Sequence, residues 1–456
     1  LARKRGENAR RARVILLLGG TVVTMDARRS VVRGDVLVEG GRIERIGRGL
    51  RPARGTQVID CAGRAVLPGL VQAHVHLCQV LFRNQADGLE LLDWLSRRIW
   101  PYEAAHDARS LGFSARLGIA ELLLSGTTAI LDMATVRHTE AVLRAAEEGG
   151  IRYTGGKCLM DKGSGPLHEA TADALRETEQ LGRKWHGAAR GRIRWALCPR
   201  FVLSCSEKLL GEVRRLSEEH GWLIHTHASE SRGEIEQVRR QTGKDNVEYF
   251  DALGLCGKRT VLAHCVHLKA REMRTLARTG TSVVHCPGAN LKLASGVARV
   301  PELIEQRVNV ALGGDGASCN NTLDAFHEMR LAATLHLPRR GPRAMPPAEV
   351  LAMATINGAR ALGLQDEIGS LEEGKAADLT VVDLRAPHCQ PAGPDPHATL
   401  VYCARASDVT DVLVAGRPLV RDRRLLTLDA ARLAAAAPLE ARRVLARAGV
   451  SARAPR

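Results

Sequence analysis

The sequence predicts an α/β chain: a (β/α)8 barrel with a small β-sandwich domain built from both chain ends. Three observations predict it. β-rich runs alternate with helical patterns through the middle, strand-rich segments recur at the two ends, and polar residues of catalytic type follow several separate runs. Such alternation implies βα units and parallel pairing. Catalytic groups at many strand ends suit a barrel, which gathers them at one rim, better than an open doubly wound sheet.

Taken in order, residues 1–13 are basic and polar and are expected to fray. Residues 14–21 and 34–46 read as strands, the second stretch turning at the hairpin dipeptide Gly40-Gly41. The middle carries β-rich runs at 69–73, 128–132, 193–198, 222–225, 260–263, 282–285 and 308–312, with 152–157 filling the remaining strand position. Between them lie helical patterns at 108–125, 140–149, 207–220, 234–242, 269–279 and 301–306. Residues 377–383 (ADLTVVD) and 409–420, which turns at Gly416, are strand-like again. The expected division is 1–65 for the first part of the small domain, 66–365 for the barrel, and 366–456 for the second part plus a tail.

The 456 residues are 45% hydrophobic and 25% charged, a globular composition. The formal net charge of +16 raises the question of a polyanionic partner. The basic residues are dispersed, however, and mix with Glu over 212–219 and 234–241. Aromatics make up only 3%, too few for a base-stacking surface, so no nucleic acid partner is expected. Eleven Cys without a CxxC pair read as reduced thiols of a cytoplasmic protein. The apolar stretch 14–23 is too short to span a membrane and lacks a cleavage pattern, so no membrane association is expected.

His74-Val75-His76 follows the apolar run 68–71. At a period of two, both side chains leave one strand face, and paired imidazoles at a strand end are ready ligands for a divalent ion. His225-Thr226-His227 repeats the spacing after 222–224, and Glu230 stands three residues further on. His264 follows 260–263, and Asp315 follows 308–312. Any one of these can be a satisfied core polar group. Their recurrence after four runs points to one site. Neutral imidazoles with a single carboxylate, Asp315, leave an ion electrophilic enough to activate water. Glu230, off the metal, can then carry protons, and His264 can orient the water. The chemistry that follows is attack on the amine-bearing carbon of a heterocycle, with loss of ammonia.

These motifs resemble the amidohydrolase superfamily, in its cytosine/guanine/adenosine-type deaminase branch, over nearly the whole chain. PGLVQAHVHL at 68–77 is similar to the family's metal-binding strand end and implies His74 and His76 as ligands. HTHASE at 225–230 implies His227 as the third ligand and Glu230 as proton shuttle, leaving His225 to packing. LAHCVHL at 262–268 implies His264 as the water-orienting histidine. HCPGANLKLASG at 285–296 and LGGDGASCNN at 312–321 resemble deaminase segments, with Asp315 as the last ligand. The resemblance further implies one zinc, a small-molecule substrate and a homo-oligomer; iron and manganese also suit nitrogen and oxygen donors.

The substrate end is divided. LFRNQADGLELLDWL at 81–95 and IWPYEAAH at 99–106 resemble relatives that deaminate 5'-deoxyadenosine, 5'-methylthioadenosine and S-adenosylhomocysteine. That likeness implies Asp87 on the ribose hydroxyls and Trp94 in a lid over the substrate. CPRFVLSCSE at 198–207 resembles guanine deaminases instead, implying Arg200 and Phe201 on the base and Gln79 against the purine. GGKCLMDKG at 155–163 carries Lys157 where adenosine-type relatives grip the substrate's far end with Arg, which argues against a carboxylate-tailed substrate. The leading expectation is a 5'-deoxyadenosine-like nucleoside, followed by guanine or another free aminopurine, then a triazine.

Overall fold

The computed structural model describes residues 14–163 and 165–450; the stretch expected to fray, 1–13, lies outside them. Each of the eight β-rich runs is a strand: β1 (Leu70–His76), β2 (Thr127–Met133), β3 (Arg152–Gly156), β4 (Ile193–Pro199), β5 (Leu223–Ala228), β6 (Thr260–His264), β7 (Ser282–His285) and β8 (Val310–Leu312). They pair in chain order and in parallel. Just beyond β8, Asp315 and Gly316 pair with Val75 and His76 of β1, and the barrel closes. Closure presses the Gly313-Gly314 link onto β1. A Cβ at 313 would meet the His74 carbonyl oxygen at 2.8 Å, and one at 314 would meet Gln72 Oε1 at 2.5 Å. Only glycine fits there.

Helices wrap the barrel where the 3.6-residue pattern placed them. Ala108–Leu124 starts at Asp107, whose carboxylate accepts from the Ser110 amide at 2.7 Å. Arg232–Thr242 starts with a reciprocal Ser231/Glu234 cap. The Glu234 carboxylate also accepts from the Glu230 amide at 2.7 Å, so this cap anchors the backbone of Glu230.

Both chain ends enter one mixed sheet of nine strands. At its centre Arg64–Pro68 lies antiparallel to Leu379–Asp383 and parallel to Ile15–Val23, which joins the two halves of the small domain directly. Its hairpins turn at Gly40-Gly41 (φ +59° and +85°) and Ala415-Gly416 (φ +47° and +69°), the left-handed pairs that a tight two-residue turn requires. The sheet has its own apolar cluster, including Ile15, Val36, Ile59, Leu379 and Leu413. The buried pair of Arg152 with Asp378, at 2.9 and 3.0 Å, fastens it to β3.

The C-terminal end departs from the expected tail. Ala430–Ala448 is a helix lying on Ala108–Leu124 and Trp100–Ala104. Its alanines favour helix, and docking buries Val444. Glu440 pairs with Arg109 at 2.7 Å, and Arg447 Nε donates to the Ala105 carbonyl at 2.9 Å. Among the described residues no cysteines are bridged, and no helix is long and apolar enough to cross a membrane.

Candidate active site

At the C-terminal rim of the barrel, a chain of hydrogen bonds sets the tautomers of three histidines. His225 Nδ1 faces the Val261 carbonyl at 3.3 Å and donates to it, since a carbonyl can only accept. His225 Nε2 therefore accepts from His74 Nδ1, 2.8 Å away, which leaves a lone pair on His74 Nε2. His76 Nδ1 donates to the Met133 carbonyl at 2.9 Å, and His227 Nδ1 to the Arg200 carbonyl at 2.7 Å. Three bare Nε2 atoms thus turn inward. His76 Nε2 and His227 Nε2 lie 3.3 Å apart, while Asp315 Oδ1 stands 3.2 Å from His74 Nε2 and 3.4 Å from His76 Nε2.

Two nitrogen lone pairs facing each other across such a gap repel unless a cation lies between them. Bonds of about 2.0–2.1 Å to a tetrahedral ion separate neighbouring ligand atoms by roughly 3.3–3.4 Å. The observed spacings match, and the buried His74 Nε2 has no hydrogen-bond partner. Burial lowers the pKa of all three imidazoles, that of His76 to about 4, so they are neutral donors at pH 7. Neutral imidazoles and one carboxylate suit a divalent ion. The spacing rule alone left His225 and His227 as alternatives; His225 here buttresses His74.

Glu230 and His264 stand beside this cluster. His264 Nδ1 donates to Asn290 Oδ1 at 2.9 Å, and its Nε2 lies 3.5 Å from Glu230 Oε2 and 3.8 Å from Asp315 Oδ2. Burial, with Asp315 and Glu234 adding to it, pushes the Glu230 carboxyl well above its ordinary pKa. A buried carboxyl beside the cluster and off the ion is placed to exchange protons with water and substrate. Strain gathers here too. Ser229, His264, Cys265 and Asp315 all adopt left-handed backbone (φ +53°, +71°, +48° and +57°). Such strain persists where surrounding bonds over-determine the chain, commonly at functional sites. Cys265, Val266 and His267 donate their amides to Ala228 or Ser229, lacing the ends of β5 and β6 together.

A cavity opens over the cluster, and His76, His227, Glu230, Glu234, His264 and Asp315 belong to its lining. Gln79, Leu91, Trp94, Leu95, Arg200 and Phe201 complete that lining. Gln79, Trp94, Arg200 and Phe201 thus sit at the cavity. Two other predicted contacts do not. Asp87 is half-exposed and pairs with Lys292, away from the lining, because the loop carrying it folds onto the segment after β7. Lys157 is fully buried between Glu169 and Glu177, each 2.9 Å away, and also bonds the Val136 carbonyl. A fully buried ammonium needs such partners, and these hold it off the cavity.

Two residues that the sequence reading missed support the site. Asp132, at the end of β2, accepts from the Leu77 amide at 2.8 Å and from the Tyr153 hydroxyl at 2.9 Å, holding the turn just after His76. Glu103 takes the guanidinium of Arg200 at 2.7 and 3.1 Å and the Gln79 amide at 2.9 Å. The one available signal was a lone acid in the apolar stretch IWPYEAAH.

Barrel, appended sheet and rim cluster together suit a hydrolase with a candidate metal site. The Amidohydrolase family model matches residues 65–419, and the chain belongs to that family. A 5'-deoxyadenosine deaminase of Methanothermobacter thermautotrophicus is 42% identical over 398 residues, covering 87% of this chain and 91% of that one. A 5-methylthioadenosine/S-adenosylhomocysteine deaminase of Syntrophobacter fumaroxidans is 41% identical over 420 residues, 91% and 94% of the two chains. Among solved structures, an adenosine deaminase from Xanthomonas campestris with bound zinc superposes with a TM-score of 0.89 at 33% identity, covering 95% of this chain and 98% of that one.

Proposed function

We propose that this hydrolytic deaminase acts on an aminopurine nucleoside of the 5'-deoxyadenosine type and depends on one zinc ion. The observation that carries the reading is the convergence of His74, His76, His227 and Asp315 beside a cavity that the last three help to line, with Glu230 and His264 next to them. Those four residues would hold the ion, which when bound would supply Lewis acidity to lower the pKa of water. Deamination adds water at the carbon bearing the amine and expels ammonia, so one proton must reach the ring nitrogen and another the departing nitrogen. Glu230, a buried carboxyl with a raised pKa, takes the proton from water and delivers it. His264 accepts a hydrogen bond from the incoming water at Nε2, its ring held by Asn290.

Phe201, Leu91, Trp94 and Leu95 give the lining the apolar surface that would receive the base. These apolar walls exclude water and suit a flat ring. Arg200 is the single cation of the lining, and Glu103 already takes both its terminal nitrogens, so nothing there waits for an amino-acid carboxylate. This favours a substrate truncated at the 5' position over S-adenosylhomocysteine. It also weakens the guanine alternative, which needs Arg200 as a free donor to a purine carbonyl. The names of the relatives at 42% and 41% identity support the adenosine type.

Ammonia release from a panel of 5'-deoxyadenosine, 5'-methylthioadenosine, S-adenosylhomocysteine, adenosine, guanine and a triazine tests the reading. The expected order places 5'-deoxyadenosine first in kcat/KM. Preference for guanine, or no turnover of any purine, overturns it.

A further inference from the structure

Between the neighbouring antiparallel strands Leu379–Asp383 and Val409–Val414 of the small domain, the chain leaves the sheet and returns to it over residues 384–408. The middle of this excursion packs on the barrel helices Ala325–Thr334 and Pro347–Met353 and buries Leu400 and Val401. Its two ends meet. His388, in the turn Pro387–Cys389, donates from Nε2 to Asp408 Oδ2 at 2.8 Å, across 20 positions of chain. Asp408 ends the turn Ala406–Asp408, and its carboxylate also accepts from the Arg405 amide at 2.8 Å. Beside this pair stands the buried thiol of Cys389. A nitrogen of His388, the sulfur of Cys389 and an oxygen of Asp408 all lie within 4.8 Å of one another. Among the described residues no other cysteine stands in such a group of three donors, and none of the three lines the active-site cavity.

We propose that His388, Cys389 and Asp408 form a second metal site, which takes a borderline-soft divalent cation of the zinc class and clips together the two ends of the 384–408 excursion. A thiolate, an imidazole and a carboxylate make a donor set that selects zinc over magnesium or calcium. Bonds of about 2.0–2.3 Å place tetrahedral donors roughly 3.3–3.7 Å apart. The hydrogen bond from His388 to Asp408 puts a proton where the cation would stand, and a small side-chain rotation brings the Cys389 sulfur to the same point. The His388 side chain is 26% exposed against 8% for Asp408, which gives an ion a route in and a water the fourth ligand position. A comparable group, Glu179, Glu219 and His220, lacks a thiol and spends its carboxylates on Arg183 and Arg215 at an exposed helix surface. A metal clip restrains a chain most where the loop it closes is long. Here it holds the excursion on the barrel, so the ion's role is structural and separate from catalysis.

The test frees the full chain of metal with a chelator, keeps it reduced with a phosphine, and titrates it with cobalt(II) as an optical stand-in for zinc. The expected signal is a near-ultraviolet thiolate-to-cobalt charge-transfer band that saturates at one cobalt per chain. The nitrogen and oxygen donors of the rim cluster cannot give it, so the outcome is independent of whether that cluster binds zinc. Added zinc should remove the band by competition. Cys389→Ser, with every other cysteine intact, should lose the band and keep wild-type turnover. His388→Ala and Asp408→Asn should each weaken binding of the band-carrying cobalt by more than about 10-fold. Hydrogen exchange over 384–408 should slow on zinc addition in the wild type but not in Cys389→Ser. Absence of the band from the wild type overturns the proposal, as does a band that survives Cys389→Ser. A band of full affinity in both His388→Ala and Asp408→Asn marks adventitious thiol binding and overturns it too.

Discussion

His76 Nε2 and His227 Nε2 face each other at 3.3 Å with their rings within 5° of parallel, each ring held by a bond from its Nδ1 to a backbone carbonyl. The bonds fix the tautomers, the tautomers aim two lone pairs at one point, and that point suits a cation. The clearest expectation concerns metal. Zinc added to the metal-free chain should raise Tm, since an ion at 1,000 times its Kd stabilises by about 4 kcal/mol. In the Cys389→Ser background, His76→Ala should abolish both the rise and the turnover. Full zinc content and activity in that variant would remove His76 from the ligand set.

His225 gives a graded outcome. It fixes the tautomer of His74 without joining the cluster, so His225→Ala should weaken zinc about 10–100-fold without abolishing binding. Complete loss of the ion, equal to that in His76→Ala, would make His225 a ligand.

Glu230→Gln should keep fold and zinc while turnover falls by ~10²–10⁴-fold. The amide has the shape of the carboxyl but cannot shuttle a proton. Retained turnover, read as ammonia release under saturating substrate, would rule out the role.

Lys157 separates fold from substrate binding. Lys157→Met leaves Glu169 and Glu177 without their buried partner and should destabilise the chain by about 3 kcal/mol, read in denaturant unfolding. KM for 5'-deoxyadenosine should stay unchanged. A raised KM at unchanged stability would return Lys157 to the cavity.

Acid stability has a definite sign at Glu302. Burial opposes its ionisation, but bonds from Arg339 hold its pKa at about 2, against 4.5 for the ordinary carboxyl. A lowered folded-state pKa contributes stability above about pH 4.5 and loses it as pH falls toward 2. Arg339→Ala should therefore lower Tm at pH 7 and converge with wild type near pH 2. A Tm difference that persists undiminished at pH 2 would show that the pair is not its source.

Much of this molecule was legible from residue order. The barrel strands, the two-residue turns at Gly40-Gly41 and Gly416, and the cluster candidates His74, His76, Glu230, His264 and Asp315 all follow from local pattern, because a period of two or 3.6 and a turn's positive φ are properties of neighbouring residues. The C-terminal helix escaped, since its burial comes from helices more than 300 positions earlier. The contacts expected of Asp87 and Lys157 came from resemblance of segments, which does not say which partner a charged side chain finds first.

The sequence by itself determined the architecture and the donor chemistry of one site. Spacing alone left His225 and His227 as alternatives, and the family resemblance favoured His227; the tertiary structure adds a physical reason, since His225 Nε2 is engaged by His74 while His227 Nε2 faces His76. Only the tertiary structure turned Arg200 from a free cation into half of a buried pair. Glu103 lies 97 positions away, and charge is compensated by distance in space rather than along the chain.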